Sequence, residues 1–345
     1  MTAKCNWSNI AVLLLALLIA VTLWQVYLSP TSLADVPNYS KTAYSLYRNF
    51  SNYAYPTQSI ADSDYNQLID LNFTFNLLNL VCNDSSPLVL VLVHSSPNNF
   101  AKRRTIRETW GKRKGKVKLL FVLGAVSNSS LEKELIEENQ NYSDFVQGSF
   151  ADTYRNLTYK HVMVFKYAIY HCPEAKYILK TDDDVFVNMP TLLNFLSLDL
   201  SPYGADNLLF CTRRSNSRVI RSYRSKWRVS FSEYPDKIYP TYCPGWFLLY
   251  SQNVVFELYR EAQKTKVFWI DDIHLTGTLF KKLNMVHTDA QPYMITREEL
   301  DSIMEDRNIT RPFLVGLPNL KEKQIRKLWE FVESNPVSRT VINKI

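Results

Sequence analysis

Three adjacent carboxylates, Asp182, Asp183 and Asp184, follow a short apolar segment of the chain. Neighbouring carboxylates repel one another, and a hard divalent cation offsets that repulsion. In an extended segment, side chains two positions apart project to the same side, so Asp182 and Asp184 can face one ion. An acidic triplet is more often a solvated turn. Because apolar residues flank this one on both sides, we predict a metal site here.

A second acidic pair, Asp271 and Asp272, stands in the apolar sequence WIDDI. Leucines follow at 275, 279 and 283 with helical spacing, so the pair is predicted at the start of a helix. A carboxylate there can cap free N–H groups, and we assign that role to Asp271. Asp272 is then left as a candidate general base.

Basic residues are concentrated in 102–118, where nine lysines and arginines meet one acid, in a chain whose net charge is +7. Arg103 and Arg107 are four residues apart on a predicted helix and share one face. The planar guanidinium group suits phosphate oxygens, so this pair could meet a pyrophosphate. For the lysines of 112–118 a solvated surface is the favoured interpretation.

The eight glycines form neither G-x-G-x-x-G nor a Walker loop. A nucleotide must therefore be held by side chains and a metal. The absence of C-x-x-C and H-E-x-x-H argues against a structural zinc site or a zincin, and there is no G-x-S-x-G elbow. His287 could complete a metal shell, although a structural histidine is the favoured interpretation.

Strand and helix patterns alternate from residue 87 onward. The apolar runs 88–94, 117–123 and 177–179 predict strands, the last continued by 185–187, while 100–113, 130–139 and 154–170 predict helices. Such alternation is typical of βαβ units. We therefore predict an α/β fold with a mixed, mostly parallel central sheet and one catalytic domain over 86–345.

The segment 10–28 contains 19 residues without a charge, enough to span a bilayer. We predict a signal anchor, with a cleaved signal peptide as the alternative. Residues 1–9 would then be a cytosolic tail and 30–85 a lumenal stem, with a short helix near 65–80. This placement argues against nucleic acid as a partner.

Cysteine and asparagine usage agrees with a lumenal domain. Eight N-x-[ST] triplets follow the anchor, and some of them are expected to be unused. With Cys5 in the cytosolic tail, Cys82, Cys172, Cys211 and Cys243 remain for up to two disulfides. Three pairings are possible, and the spacing does not choose among them.

Several sequence blocks in fixed order resemble the β-1,3-galactosyltransferase family, which includes β-1,3-N-acetylglucosaminyltransferases and is distantly related to Fringe. The blocks are R-x-x-I-R-E-T-W-G at 103–111, F-V-L-G at 121–124, Y-x-D-F at 142–145, F-x-D-T-Y-x-N-L-T-x-K at 150–160, K-T-D-D-D-V-F-V-N at 180–188, S-K-W at 225–227, Y-P-x-Y-C-x-G at 239–245 and I-D-D-I-x-x-T-G at 270–277. Together they extend over about residues 87–285.

This resemblance implies an inverting, metal-dependent glycosyltransferase with a GT-A-type nucleotide-sugar-binding fold, held in the Golgi membrane as a single-pass type II protein. It implies a UDP-sugar donor, with UDP-galactose as the favoured one, and a β-1,3 linkage to a glycan acceptor on a glycoprotein or glycolipid. Mn²⁺ would be bound by Asp184 and Asp182, and Asp272 would be the base. The matching donor-side positions are Arg103, Arg107, Asp152, Lys160 and Asp183.

On the acceptor side, Trp227, Tyr239 and Trp246 could stack on a sugar, with ordinary packing as the alternative. Phe247 stands where the family usually has a glycine. UDP-GlcNAc or UDP-GalNAc remain alternative donors. A catalytically silent glycan-binding member and a metal-dependent hydrolase of nucleotide sugars are the alternative functions.

Overall fold

The apolar run after residue 87 forms the centre of a mixed sheet. A computed structural model describes residues 53–60, 73–83, 85–112, 115–309 and 311–335. The predicted tail (1–9) and anchor (10–28) lie outside these residues. Within the described residues, no helix is long and apolar enough to cross a membrane.

Eight strands form one sheet in the described part of the chain. They are β1 (Phe75–Leu78), β2 (Val89–His94), β3 (Val117–Ala125), β4 (Phe145–Ala151), β5 (Tyr177–Asp182), β6 (Leu209–Cys211), β7 (Phe247–Ser251) and β8 (Thr288–Asp289). The spatial order is β1-β4-β3-β2-β5-β7-β6-β8. Strands β4, β3, β2 and β5 run parallel, whereas β1 and β7 pair antiparallel with the outer members of this group. The predicted α/β fold with a mixed, mostly parallel sheet is confirmed.

Helices connect and cover the strands. They are α1 (Phe100–Glu108), α2 (Ser129–Tyr142), α3 (Leu157–His171), α4 (Met189–Asn194), α5 (Gln252–Ala262), α6 (Asp272–Leu279), α7 (Arg297–Met304) and α8 (Glu322–Ser334). A π-helical segment, Phe195–Leu200, extends α4, and Phe280–Lys282 extends α6, which is itself π-helical. One core cluster contains residues of α3, α5 and the sheet face against which they pack.

The strand order creates a switch point beside β2. The chain proceeds from β2 through β3 to β4 on one side, and then places β5 on the other side of β2. Connections leave the carboxyl ends of β2 and β5 in opposite directions there, which opens a crevice for ligands. Asp182 ends β5 directly opposite His94, the last residue of β2. The acidic triplet therefore lies at this edge, as its position after an apolar strand predicts.

The folded unit reaches further toward the N-terminus than the predicted boundary at 86. Strand β1 lies inside the predicted stem and pairs with β4, and Phe73 and Tyr55 are buried in the core. The disulfide Cys82–Cys172 joins this segment to the residue after α3. Apolar side chains with partners far along the chain hold the segment, so its weak local periodicity gave no signal. Because β1 occupies 75–78, the short helix expected near 65–80 is wrong for those residues.

Two further details differ from the sequence interpretation. Residues 185–187 do not continue β5, because the chain turns after Asp182 and Val187 forms an isolated bridge with Val315. The second disulfide joins Cys211 to Cys243. Together with Cys82–Cys172 it selects one of the three possible pairings.

The burial of His274 on α6 can be tested through the pH dependence of stability. It is buried, and no partner for its Nε2 is present among the described residues. Burial lowers the pKa of His274 to about 4. The unfolded chain binds a proton near the ordinary histidine pKa of about 6.5, whereas the folded protein does not, so stability is lost as the pH falls through that value. From about pH 7 to about pH 5.5, this single group should destabilise the protein by roughly 1 kcal/mol.

We expect His274→Leu to remove that dependence. The free energy of unfolding of the wild type relative to the variant should fall by roughly 1 kcal/mol over this interval in urea titrations. Parallel curves for the two proteins would contradict the assignment of a neutral buried imidazole.

Candidate active site

Asp183 fastens the loop after β2 to the end of β5. Its Oδ2 accepts hydrogen bonds from Ser95 Oγ (2.8 Å) and Asn99 Nδ2 (2.8 Å), and its Oδ1 lies 3.2 Å from Lys102 Nζ. The side chain is 7% exposed. These contacts occupy the carboxylate, so Asp183 holds the shape of the loop that borders the crevice. Asp183 was predicted to bind the donor, and it would now have to do so indirectly, by positioning that loop.

Asp184 is the more accessible neighbour. Its side chain is 25% exposed, and its Oδ2 lies 3.3 Å from Lys102 Nζ. Lys102 thus spans the two carboxylates of Asp183 and Asp184. Burial would lower the pKa of Lys102, but the two carboxylates outweigh it and raise that pKa. Lys102 therefore carries a positive charge at the mouth of the crevice.

Asp182 points to a second lysine. Lys180 lies two residues earlier on β5, and its Nζ is 2.8 Å from Asp182 Oδ1. The same ammonium group donates to the Gly245 carbonyl. Burial raises the pKa of Asp182 to about 6, and Lys180 opposes that rise. Alternation along the strand explains the contact, since residues 180 and 182 project from the same face.

Asp272 lies against the Gly245 backbone. Its carboxylate accepts a hydrogen bond from the Gly245 N–H. A Cβ at Gly245 would stand 2.3 Å from Asp272 Oδ1 and 2.9 Å from Lys180 Nζ, so only glycine fits between them. Burial raises the pKa of Asp272 well above its ordinary value, and the charge of Asp271 raises it further. A carboxyl group with a raised pKa is suited to accept a proton near neutral pH.

Asp271 is not a helix cap, in contrast to its predicted role. Its backbone is already helical and its side chain makes no capping bond. Instead, Asp271 Oδ2 lies 2.9 Å from His161 Nδ1, and His161 Nε2 lies 3.1 Å from the Tyr250 hydroxyl. Burial would raise the pKa of Asp271, but the bond to His161 and the charge of Lys180 lower it. Asp271 is therefore an ionised, buried partner of His161.

Arg103 and Arg107 are buried in ion pairs rather than open to the crevice. Arg103 is 1% exposed and forms a two-pronged pair with Glu138 at 2.9 and 2.6 Å. It also donates to the carbonyls of Ser96 and Pro97. Arg107 Nε lies 2.9 Å from Asp144 Oδ2, and Nη1 lies 2.7 Å from Glu138. In this structure Arg103 supports the crevice loop from behind, and Arg107 joins α1 to α2 and to the residue before β4.

Asp152 and Lys160 form a third carboxylate–lysine pair at the same edge. Lys160 Nζ lies 2.6 Å from Asp152 Oδ2 and 3.1 Å from the Ser95 carbonyl. Asp152 Oδ2 also accepts from the Gly124 N–H at 2.6 Å. The pair thus joins the loops that follow β2 and β4 to the end of β3, which is consistent with its predicted place beside the donor.

The predicted aromatic residues are not all in one place. Trp227 and Tyr239 belong to a cluster with Trp269 and Phe268, just before the acidic pair. The indoles of Trp227 and Trp269 are nearly parallel, with ring centroids 6.5 Å apart. Trp246 lies next to Gly245, and its carbonyl accepts from Thr181 Oγ1 at 2.8 Å.

Two other sequence hypotheses concern Phe247 and His287. Phe247 is buried in β7 opposite Thr181 and packs on Phe210, so its ring belongs to the core. His287 Nε2 lies 2.6 Å from the Thr276 carbonyl and the ring packs on Phe280. These contacts favour the structural interpretation of His287.

The donor set fits a divalent cation that takes further oxygens from its ligand. Asp182 and Asp184 are partly exposed, at 38% and 25%, and each already faces an ammonium group. In the described part of the chain, however, no three His, Cys, Asp or Glu side chains are grouped to hold a metal. A metal bound here would need ligands from a second molecule, and diphosphate oxygens are suitable ones.

The sequence interpretation did not identify Lys180, Lys102, His161 or Gly245 as parts of this site. Lys180 and Gly245 both lie within the sequence blocks that resemble the family, so the sequence alone could have identified them as site residues. His161 had no such signal, because its partner Asp271 is 110 residues away.

The chain is similar in sequence to known proteins. The galactosyltransferase family matches residues 101–292, more than half of the chain. β-1,3-Galactosyltransferase 5 of Pan paniscus is 34% identical over 259 residues, which cover 73% of this chain and 83% of that protein. Human UDP-GalNAc:β-1,3-N-acetylgalactosaminyltransferase 1 is 28% identical over 263 residues, with 74% and 77% covered. Among solved structures, galactosyltransferase LgtC with donor and acceptor sugar analogs aligns with a TM-score of 0.36 at 11% identity, covering 71% of this chain and 95% of LgtC.

A comparison of Arg103 with its exposed neighbour Arg104 tests whether Arg103 has a buried, structural role. Arg103→Gln should destabilise the protein by about 3 kcal/mol, because it removes one partner of a buried ion pair. Arg104→Gln should change stability little, because Arg104 is exposed and, within the part of the chain that the structure describes, its ion pair is with Glu108 on its own helix. Chemical denaturation of the two variants measures both effects. Equally small losses would contradict a buried structural role for Arg103.

Proposed function

The chain belongs to the galactosyltransferase family as a UDP-sugar-dependent β-1,3-hexosyltransferase, and we propose that it transfers galactose with inversion at the edge formed by β2 and β5. The observation that carries this proposal is the juxtaposition of Asp272 with Lys180 and Asp182 around Gly245. This arrangement places a candidate base beside the carboxylates assigned to the donor. The donor-binding and acceptor-binding sides of the site would therefore meet at Gly245.

Asp272 would remove the proton from the acceptor hydroxyl. Its raised pKa makes it a stronger base than an ordinary carboxylate, and the Gly245 N–H fixes the orientation of its carboxylate. As the proton moves to Asp272, the acceptor oxygen forms a bond to the anomeric carbon and the bond to UDP breaks. A single displacement of this kind inverts the anomeric centre and gives a β product from an α-linked donor.

Charge that develops on the departing UDP needs positive groups nearby. Asp184 and Asp182 would hold Mn²⁺, and the bound ion would supply a Lewis acid to the diphosphate. Lys102 and Lys180 already place two cations at these carboxylates. The ammonium of Lys102, on the more exposed side, can shift from the carboxylates to phosphate oxygens when the donor binds.

UDP-GalNAc is an alternative donor, because one similar protein is named as a GalNAc transferase. UDP-GlcNAc is an alternative only through the family resemblance of the sequence blocks. A catalytically silent glycan-binding role is disfavoured, because such a protein needs neither the intact acidic triplet nor a buried base. We infer that the protein is located in the Golgi membrane, with a single N-terminal anchor and a lumenal catalytic domain. This inference rests on the uncharged segment 10–28.

The direct test is UDP release from UDP-Gal, UDP-GalNAc and UDP-GlcNAc by the lumenal part of the chain (30–345). With Mn²⁺ and a β-linked acceptor glycoside, we expect release above the donor-only rate, and EDTA should abolish it. Asp272→Asn should lower kcat at least about 100-fold while donor binding persists, because the amide cannot accept the proton.

Asp301→Asn is the matched control, since Asp301 is an exposed carboxylate on α7. It should leave turnover unchanged. A turnover rate that does not respond to Asp272→Asn would refute the assignment of the base, and EDTA-resistant transfer would refute the metal site.

The pH dependence tests the Asp271–Asp272 coupling. Since the base must be ionised, kcat/KM should fall as the pH drops through the pKa of Asp272, above the ordinary carboxyl range. Asp271→Asn removes the neighbouring negative charge and should move this acidic limb to lower pH. Steady-state profiles of both proteins measure the shift. A limb that stays fixed or moves to higher pH would show that Asp271 does not raise the pKa of Asp272.

A further inference from the structure

A long connection between β6 and β7 has no role in the chemistry above. It comprises residues 212–242, which we call the basic loop, and the disulfide Cys211–Cys243 closes it at its base. Without the disulfide, an irregular segment of this length would sample many conformations, so the staple limits its freedom.

Inside the basic loop, one guanidinium group satisfies several backbone carbonyls. Arg221 donates to the carbonyls of Val229, Ser230, Tyr234 and Asp236, at 2.7 to 3.0 Å. Backbone bridges Arg214–Tyr242 and Arg218–Ile238 pair the two arms of the loop. The loop is therefore a folded platform with a defined outer surface.

The inner side of the basic loop rests on the residues around the candidate base. Val219, Val229 and Tyr239 form a cluster with Phe268, Trp269, Ile270 and Ile273. These last four residues flank Asp271 and Asp272 in the chain. A second link is the ion pair between Glu233 of the loop and Arg155, whose guanidinium lies 4.5 Å from the Trp269 ring. The platform is thus fixed beside the place where an acceptor hydroxyl must enter.

The outer side of the basic loop carries a strong positive charge. The loop has eight basic residues, Arg213, Arg214, Arg218, Arg221, Arg224, Lys226, Arg228 and Lys237, and two acids, Glu233 and Asp236. Arg221 is occupied by carbonyls, Arg213 pairs with Asp289, and Lys226 donates to the Tyr154 hydroxyl. Arg214, Arg218 and Arg224 are exposed, and among the described residues no acidic side chain pairs with them.

Exposed aromatic surface accompanies these cations. Tyr223 is 85% exposed and Phe231 is 67% exposed, and the Arg228 guanidinium lies 3.7 Å from the centroid of the Tyr223 ring. Tyr154, half exposed, meets Trp227 edge to face beside the loop. Flat aromatic faces suit the apolar faces of sugar rings, and unpaired guanidinium groups suit sulfate, phosphate or carboxylate oxygens.

We propose that the basic loop is a recognition surface for acceptor glycans that carry an anionic group, such as a sulfate, a phosphate or a uronic acid carboxylate, near the sugar that is extended. The proposal rests on the proposed transfer function, because it assigns the acceptor class for that site. The aromatic rings would contact the sugars, and Arg214, Arg218 and Arg224 would bind the anion. Positive charge beside the base would also attract such acceptors over long range.

The test compares paired probes in the presence of UDP and Mn²⁺, so that binding is measured without turnover. The probes are a β-N-acetylglucosaminide and its 6-sulfated and 6-phosphorylated forms, together with a β-galactoside and the same sugar carrying a glucuronate. We expect the acidic form of at least one pair to bind the wild-type protein more tightly, and added salt should reduce this preference.

The variant Arg214→Gln/Arg218→Gln/Arg224→Gln should weaken binding of the acidic probe about tenfold and leave neutral probes and UDP unaffected. The control is Lys112→Gln/Lys116→Gln/Lys118→Gln, which removes the same charge at the opposite edge of the sheet and should retain the preference. Circular dichroism establishes that both variants fold.

Three outcomes would overturn the proposal. One is equal affinity for acidic and neutral forms throughout. Another is a loop variant that loses affinity for UDP instead, because the loop would then serve the donor. The third is loop-dependent binding to phosphatidylserine vesicles without any preference among glycosides, which would make the loop a membrane-facing surface. Failure of transfer with an intact acidic preference would refute only the proposed function.

Discussion

The buried ammonium group of Lys180 is the interaction on which the candidate site depends. It lies within hydrogen-bonding distance of Asp182 and the Gly245 carbonyl, and the charges of Asp271 and Asp272 act on it as well. Carboxylates crowded into a partly buried crevice repel one another and lose hydration, and both effects disfavour their ionised forms. Burial alone would lower the pKa of Lys180, but these acids raise it, so the lysine stays charged.

The same principle repeats along the edge of the sheet. Lys102 meets Asp183 and Asp184, Lys160 meets Asp152, and Lys180 meets Asp182. The first two pairs each join a loop that follows a parallel strand to a helix, and Lys180 also joins β5 to the Gly245 carbonyl. Because removing a lysine would leave a partly buried carboxylate without its cation, the arrangement is sensitive to single substitutions. The loops around the crevice therefore hold their shape through charge pairs that an anionic diphosphate can also use.

The local sequence pattern correctly predicted those strands that are determined by residues close together in the chain. The apolar runs of β2, β3 and β5 identified buried strands, and the position of Asp182 after such a run placed the acids at the crevice. The roles of Arg103 and Asp271 could not be predicted in this way, because Glu138 and His161 come from distant segments. An exposed diphosphate-binding arginine and a buried ion-paired one have the same helical spacing. Likewise, β1 was not identified, since its pairing with β4 depends on contacts about 70 residues away.

The two sides of the crevice differ in how they are built, and the difference bears on specificity. The proposed donor side consists of strand ends and short loops joined by ion pairs, so its geometry follows from the sheet. The proposed acceptor side is the disulfide-closed basic loop, whose inner residues pack against Trp269 and Ile270 while Arg214, Arg218 and Arg224 on its outer side are exposed. Substitutions on that outer surface can change charge and aromatic content without moving Asp272. A fold of this kind can keep one transfer chemistry while the basic loop changes which acceptor reaches the base.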